Sequence, residues 1–320
     1  MMWRRIAIGA GAITALLLLV IAGGYMWLDT QSGRNFLARQ IAAVEMENGL
    51  NIRIGKIEGS IYSDAILRDV QFRDPKGGFA RAPEIRLDWN PLSYFSSGVN
   101  ISSLRAPTLN VARMPAFRIV PDRGDPLLPD LDINIGQLQI DRIVFAKGIT
   151  GEEQVASLSG KVQIADRRAI VTATAGSLRD DRIVLKLDAV PEDNRFDVDL
   201  NLDAPAKGVV AGLLGRDVPM TMTLAGRGSW RKWDGALSAQ MGAENVADIA
   251  LTAREGTFTA KGTAAPAKLM ANSLLMRALS PVANIDMAAS FAERTAKISG
   301  TLRSAAMEMR ADGIADLGEA

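Results

Sequence analysis

The segment FDVDLNLD, which spans Phe196 to Asp203, alternates apolar side chains with acidic or amide side chains without interruption. Successive side chains of a β-strand point to opposite faces, so this period of two predicts a strand with one apolar and one polar face. Ile183, Leu185 and Leu187 repeat the pattern upstream of the turn sequence PEDN. The two segments therefore predict a hairpin within a sheet that has one apolar side.

The same alternation recurs from residue 50 onward, in segments that are separated by short turns. At Gly136-Gln137 its phase shifts by one residue, which predicts a β-bulge. Two interruptions, at 206–215 and 266–281, predict short helices that are too short to span a membrane. We therefore expect a mainly β fold, in which a long antiparallel sheet carries short helical caps.

The N-terminal stretch IAIGAGAITALLLLVIAGGYMWL, Ile6 to Leu28, contains no charged residue. As a helix it would be about 35 Å long, enough to cross a hydrocarbon core of about 30 Å. Arg4 and Arg5 precede it and Asp29 follows it, which predicts a cytoplasmic N-terminus and an exported chain. A cleaved signal peptide is the alternative, and it also exports the chain. The residues assigned to the membrane anchor include Ile6, Leu16, Leu17, Leu18, Leu19, Trp27 and Leu28.

The next segment predicts an amphipathic helix through residue 44. Thr30 or Ser32 can cap it, and Phe36, Leu37, Ile41 and Val44 lie along one side. We expect this helix to pack as a cap over the end of the sheet; the alternative is a helix that lies on the membrane surface. The expected division is an N-terminus and anchor at 1–28, a capping helix at 29–48, a first β segment at 49–114, a Pro-rich connection at 115–130 and an extended β segment at 131–320.

The composition argues against several classes of function. The 37 basic and 36 acidic residues give a net charge of +1 without a basic stripe, so we expect no nucleic acid partner. The chain contains neither cysteine nor histidine, which removes thiolate metal sites and histidine-dependent triads. Asp197, Asp199 and Asp203 suggest a calcium site, but alternate residues of a strand lie about 6.8 Å apart, so we interpret them as a solvated face. We predict no enzyme activity, no cofactor and no metal.

An apolar sheet face must be covered by a second sheet, closed into a barrel or left for a ligand. The apolar residues here are small or aliphatic, and aromatic residues make up only 5% of the chain. A closed sandwich core usually uses more large rings. The residue pattern leaves both a packed core and an open apolar groove as interpretations.

A series of motifs runs along the chain in a fixed order. They are DTQSG at 29–33, LNIRI at 50–54, IEGS at 57–60, LRDVQFRD at 67–74, IRLDWNPL at 85–92, DAPAKG at 203–208, LAGRG at 224–228 and WDG at 233–235. Together they resemble the N-terminal portion of the TamB family, the inner-membrane subunit of the translocation and assembly module in the AsmA-like group. The resemblance covers most of this chain but only part of such a protein, which normally continues to a C-terminal domain.

The resemblance implies a curved, taco-like periplasmic sheet with an apolar groove, held by a single-pass anchor in the inner membrane. It also implies that the groove carries phospholipid from the inner to the outer membrane, with a TamA-like outer-membrane barrel protein as partner. The alternative function is an assembly factor whose exposed strand edges pair with outer-membrane β-barrel proteins or autotransporters.

In the groove interpretation, the alternating apolar residues shield acyl chains while headgroups stay in water. The expected groove-lining residues are Ile133, Ile135, Ile183, Leu185, Leu187, Phe196, Val198, Leu200 and Leu202.

Overall fold

The structure is a computed structural model that describes residues 26–90, 93, 98–118, 131–190, 195–229, 231–265, 282–292 and 295–316. The described helices are α1 (Gln31–Ala43), α2 (Lys147–Thr150) and α3 (Val209–Leu213). The described strands are β1 (Asn51–Gly59), β2 (Asp64–Asp74), β3 (Gly77–Asn90), β4 (Val99–Ala106), β5 (Leu109–Val111), β6 (Ile133–Phe145), β7 (Gln154–Ala165), β8 (Arg168–Ser177), β9 (Arg182–Val190), β10 (Arg195–Ala204), β11 (Met220–Ser229), β12 (Lys232–Met241), β13 (Glu244–Arg254), β14 (Thr257–Ala264), β15 (Ala283–Ala292), β16 (Thr295–Arg303) and β17 (Glu308–Asp316). The predicted mainly β fold with few helices is confirmed.

All of the described strands belong to one sheet. They follow one another in chain order, and neighbouring strands pair antiparallel with one exception. β4 and β5 share a single position, where both pair antiparallel with β3 and parallel with β6. The two predicted β segments, 49–114 and 131–320, therefore contribute to the same sheet.

The strand registers bring apolar residues of neighbouring strands onto one face. Leu200 lies opposite Leu185 of β9 and Leu224 of β11, and Leu224 lies opposite Leu237 of β12. Because directly opposed residues share a face, these residues form a row, which we call the central row. It continues through Ile249, Gly262, Ile285, Leu302 and Met309 in one direction and through Ala173, Gly160, Leu138, Leu104, Leu87, Ala65 and Gly59 in the other. The central row thus crosses every strand position.

Bulges keep the central row continuous where the alternation slips. The bulge predicted at Gly136-Gln137 is confirmed, because the register between β6 and β7 shifts between Ile135 and Leu138. In β2, Asp69 has a φ of 52°, in the left-handed region that few residues other than glycine adopt. The pairings on both sides of Asp69 keep one register, and the register of β2 with β3 shifts between Phe72 and Arg73.

α1 begins where the sequence predicts. Thr30 is its N-cap, and the Thr30 hydroxyl accepts a hydrogen bond from the backbone N–H of Gly33 at 3.3 Å. The helix packs against β1, at the first edge of the sheet. Its contact is through Ala38, which belongs to a buried cluster with Ile57, Ile61 and Ala65.

The side of α1 that meets the sheet differs in part from the predicted one. Leu37 packs against the buried cluster of Ala38, but Phe36 and Ile41 are exposed. A small side chain such as Ala38 lets the helix backbone approach the strand closely, whereas a phenylalanine at the same contact would hold it away. Phe36 and Ile41 therefore remain on the outer surface of α1.

The predicted membrane anchor falls largely outside the described residues, because Ile6 and Leu16 to Leu19 precede residue 26. Among the residues that are described, no helix combines the length and the apolar character that crossing a bilayer requires. Trp27 is exposed, and Leu28 packs against the cluster that contains Ala38. The C-terminal end of the predicted anchor thus lies directly beside the sheet.

An ion pair with a buried carboxylate joins the β2–β3 turn to the segment after β5. The carboxylate of Asp74 has no solvent-exposed surface and accepts two hydrogen bonds from Arg113, at 2.5 and 2.6 Å. It also accepts hydrogen bonds from the backbone N–H groups of Ala116 and Lys76. The bonds from Arg113, followed by those from the two backbone groups, outweigh burial and hold the pKa of Asp74 well below its usual value.

We expect Asp74→Asn to lower the melting temperature by several degrees at pH 7, because it leaves Arg113 without its counter-charge at a site where the carboxylate itself is buried. A carboxylate with a depressed folded-state pKa stabilises the fold above its unfolded pKa of about 3.9 and loses that contribution as the pH falls toward the folded pKa. The difference between variant and parent should therefore shrink below about pH 4. Thermal unfolding at pH 7 and below about pH 4, followed by circular dichroism, measures this difference in melting temperature.

Asp234→Asn is the matched control, because Asp234 forms its ion pair with Arg254 at the exposed surface. Such pairs contribute roughly 0–1 kcal/mol. Equal melting temperatures for the two variants at pH 7 would contradict the structural role of Asp74.

Candidate functional site

The nine predicted groove-lining residues lie on the same face of the sheet. Those of β9 and β10 oppose each other directly, in the pairs Ile183–Leu202, Leu185–Leu200 and Leu187–Val198. The two residues of β6 lie in the same cross-strand rows. Ile135 shares a row with Leu187, through Val162 of β7 and Val171 of β8. Ile133 shares a row with Phe196, through Ile164, Ala169 and Ala189. The registers therefore assemble one apolar surface from residues that are far apart in the chain.

These nine side chains are half-buried, and none is enclosed as a core residue would be. Two packed sheets interdigitate their inner side chains at the density of a protein interior. The large side chains that are buried among the described residues, such as Ile57, Val70, Ile85, Trp233 and Val246, lie outside this set. The surface formed by these nine residues is thus shielded by neighbours within the sheet, and no second sheet of described strands lies over it.

The opposite face of the same strands carries charge. Arg168 of β8 forms a bidentate ion pair with Asp188 of β9, and Arg195 of β10 lies 3.0 Å from the same carboxylate. The hydrogen bonds from Arg168, followed by the charge of Arg195, hold the pKa of Asp188 below its usual value although burial opposes them. Asp197 pairs with Arg195 at 3.1 Å and accepts a hydrogen bond from the Gly228 backbone. The acidic residues of this face are therefore engaged with cations and backbone groups.

Packed clusters border the central row on both sides between β10 and β14. On one side, Trp233 is buried near Phe196, with ring centroids 6.0 Å apart. On the other side, the border is formed by the buried cluster Ala239, Val246, Ala247 and Ala265. Trp233 and Ala239 lie six residues apart on β12, or roughly 20 Å along the strand. We call the half-buried surface between these borders, centred on Leu200, Leu224 and Leu237, the apolar lane.

The border at Trp233 depends on two glycines. The indole lies over Gly226 and Gly235, where an added Cβ would come within 1.9 Å and 2.4 Å of ring atoms. The indole Nε1–H donates a hydrogen bond to the backbone carbonyl of Phe196 at 2.6 Å, so the ring is fixed at both ends. Asp234-Gly235, which resembles a turn in sequence, lies inside β12.

Two cavities of the described chain lie outside the apolar lane. A cavity of about 540 Å³ on β6 to β9 is lined by Leu138, Gly160, Ala173 and Leu185 of the central row together with polar residues such as Lys161, Thr172 and Lys186. A second cavity of about 900 Å³ lies between α2 and α3, with Glu152 and Arg216 in its lining. The lane is therefore a surface feature of the sheet, distinct from both cavities.

Comparisons with models of known protein families, with curated proteins and with solved structures found no match to this chain. The resemblance to the TamB family stays a prediction that rests on the motifs themselves.

We expect Gly226→Ala to lower the free energy of unfolding by about 1–3 kcal/mol, because the new methyl group overlaps the Trp233 ring and forces it from its position. The displaced indole should also change the tryptophan emission spectrum. Denaturant unfolding, followed in parallel by circular dichroism and fluorescence, measures both effects.

Gly313→Ala is the matched control, since an added Cβ there meets no atom within 4 Å. A Gly226→Ala protein that is as stable as the Gly313→Ala protein, with an unchanged emission spectrum, would contradict the packing of Trp233 on glycine.

Proposed function

We propose that this protein binds lipid acyl chains along the apolar lane and carries phospholipid between the inner and outer membranes. The observation that carries the proposal is the unbroken, one-sided central row. It crosses every strand position, no second layer of described residues covers the lane, and the reverse face carries ion pairs such as Arg168–Asp188. Lipid chains suit such a surface because they bury apolar area without requiring a directed contact.

The dimensions of the sheet agree with this cargo. Neighbouring strands lie about 4.8 Å apart, so the central row is roughly 70 Å long when measured across the strands. One leaflet of a bilayer has a hydrocarbon thickness of about 15 Å, half of a core of about 30 Å. The row is therefore several times longer than one acyl chain, and a lane about 20 Å wide accommodates chains side by side.

The residues of the lane allow a bound lipid to slide while it stays bound. Each methylene that leaves water contributes about 0.8 kcal/mol, which retains a lipid firmly. Because leucine, isoleucine, alanine and glycine repeat along the row, a chain that slides by one strand position exchanges similar contacts. No covalent step is needed, and the protein acts as a carrier rather than as an enzyme.

The proposed location is the inner membrane, with one span and the bulk of the chain in the periplasm. It is supported by the uncharged stretch Ile6 to Leu28 and by the cations Arg4 and Arg5 before it. A TamA-like outer-membrane barrel protein is the proposed partner at the far end of the path, on the basis of the family resemblance.

We expect Leu200→Asp to reduce the phospholipid that copurifies with the full chain in mild detergent by at least about twofold, because a carboxylate in the lane makes burial of an acyl chain unfavourable. Native mass spectrometry with lipid extraction measures the stoichiometry. The melting temperature and the far-ultraviolet circular dichroism should stay close to those of the parent, since Leu200 is half-buried.

Asn201→Asp is the matched control, because it places the same charge one residue further along β10, on the polar face. Two results would reject the proposal. Equal lipid content in the two variants would mean that lipid does not occupy the lane, and global unfolding of Leu200→Asp alone would mean that the apolar face is a packed core.

A second candidate function is assembly of outer-membrane β-proteins, which is favoured by the last strand. β17 pairs with β16 on one side, and on its other side no described strand pairs with it. Ile314 on this strand is 73% exposed. A strand edge that carries exposed apolar residues can accept a further strand.

We expect a photoreactive amino acid at Ile314 to crosslink to newly exported barrel proteins if this second function holds. The matched control is the same probe at Leu178, which is 83% exposed in the turn between β8 and β9, away from both sheet edges. Mass spectrometry of the adducts identifies the clients. Equal adduct patterns at the two positions would reject edge pairing.

A further inference from the structure

The segment that follows the predicted anchor carries exposed apolar side chains. Met26 is largely exposed, and the rings of Trp27 and Phe36 are both exposed while their centroids lie 5.8 Å apart. The two rings contact each other across the turn at Thr30 and form a small apolar surface, in which the indole N–H of Trp27 is the polar group. We call Met26, Trp27 and Phe36 the aromatic seat.

The aromatic seat is joined to the sheet by Asp29. One carboxylate oxygen of Asp29 accepts a hydrogen bond from the Ile61 backbone N–H at 3.0 Å, and the other accepts one from the Ser60 hydroxyl at 3.1 Å. Arg34 lies 3.6 Å from Asp29 and also donates to the carbonyl of Gly59. The residue that ends the uncharged stretch is therefore bound to the β1–β2 turn.

Close contacts also hold the turn between Trp27 and α1. The hydroxyl and the backbone N–H of Thr30 both donate to the carbonyl of Trp27, at 2.6 and 2.9 Å. At Gly33 an added Cβ would come within 2.3 Å of the same carbonyl oxygen and 2.5 Å of the Leu28 backbone. These contacts leave little freedom between the seat and the first turn of the helix.

We propose that the aromatic seat docks into the interfacial region of the bilayer and holds the first edge of the sheet at a fixed position on the membrane. The occupant is the headgroup and upper acyl region of the membrane, because an uncharged stretch long enough to span it, from residue 6, runs directly into Met26 and Trp27. Tryptophan and neighbouring aromatic rings favour this region, where one end of the ring is wet. The inference rests on the proposed membrane anchoring.

The consequence is a rigid junction in place of a flexible tether. Leu28 packs against the cluster of Ile57, Ile61 and Ala65, and Ala65 belongs to the central row. The first edge of the sheet, where the central row begins, therefore lies beside the bilayer surface.

The test uses the absence of cysteine from the chain. Phe36→Cys in the full chain is labelled with an environment-sensitive fluorophore and reconstituted into vesicles of phosphatidylethanolamine and phosphatidylglycerol, with or without lipid that is spin-labelled near its headgroup. We expect the spin label to quench this fluorophore at least about twofold more than a fluorophore at Ile41→Cys, since interfacial residues lie at the headgroup boundary.

Ile41 is a matched position, because its side chain is 39% exposed and that of Phe36 is 38% exposed, while the two lie about 140° apart around the helix. Equal quenching at both positions would overturn the seat.

Adding Asp29→Ala to the Phe36→Cys protein should keep it on the vesicles but reduce the quenching, whereas unchanged quenching would overturn the rigid junction. Flotation of the unlabelled full chain with the vesicles separates the two proposals, because failure to float rejects the anchor itself, and flotation without quenching at position 36 rejects only the seat.

Discussion

Cross-strand register is the constraint on which the rest of the structure depends. The side chains of a strand alternate between faces with a period of two, so a slip of one residue in any pair would move a whole apolar set to the polar face. Antiparallel pairing keeps Leu185, Leu200 and Leu224 in one row, and the parallel pairing of β4 with β6 continues it through Leu104 and Leu138. The bulge at Gly136-Gln137 matters for the same reason, because it restores the apolar face after the sequence changes phase.

Ion pairs on the polar face contribute to the same arrangement. Cross-strand pairs such as Arg105–Asp141 and Lys261–Asp286 bridge neighbouring strands on the exposed surface. Exposed pairs contribute little stability individually. Their main physical effect is to make burial of that face unfavourable, since stacking it against another sheet would remove these charges from water. The sheet is therefore one-sided by charge as well as by hydrophobicity, and α1 covers its first edge.

Local pattern predicted the elements well because local physics decides them. The hydroxyl of Thr30 caps α1, and the turn at Glu255-Gly256 has positive φ angles at both residues, as turn chemistry requires. The features that sequence reasoning missed join residues that are distant in the chain. Asp74 meets Arg113, and the Trp233 indole lies over Gly226, only after the strand registers are set. Gly226 and Gly235 near a tryptophan were the sequence signal that could have indicated this packing. Asp234-Gly235 also matches the pattern of a turn, however, so the signal was ambiguous.

The small size of many apolar residues explains how an open lane is compatible with a stable sheet. Exposed apolar area destabilises a fold by roughly 25 cal/mol per Å², so a lane of large side chains would favour collapse or aggregation when empty. In the central row, Gly160 and Ala173 separate Leu138 from Leu185, and Gly262 separates Ile249 from Ile285. Large side chains next to small ones leave less apolar area in water and also leave gaps that a flexible chain can fill. The same spacing that limits the cost of the empty lane therefore suits the proposed occupant, and this favours a mobile aliphatic ligand over a second rigid sheet.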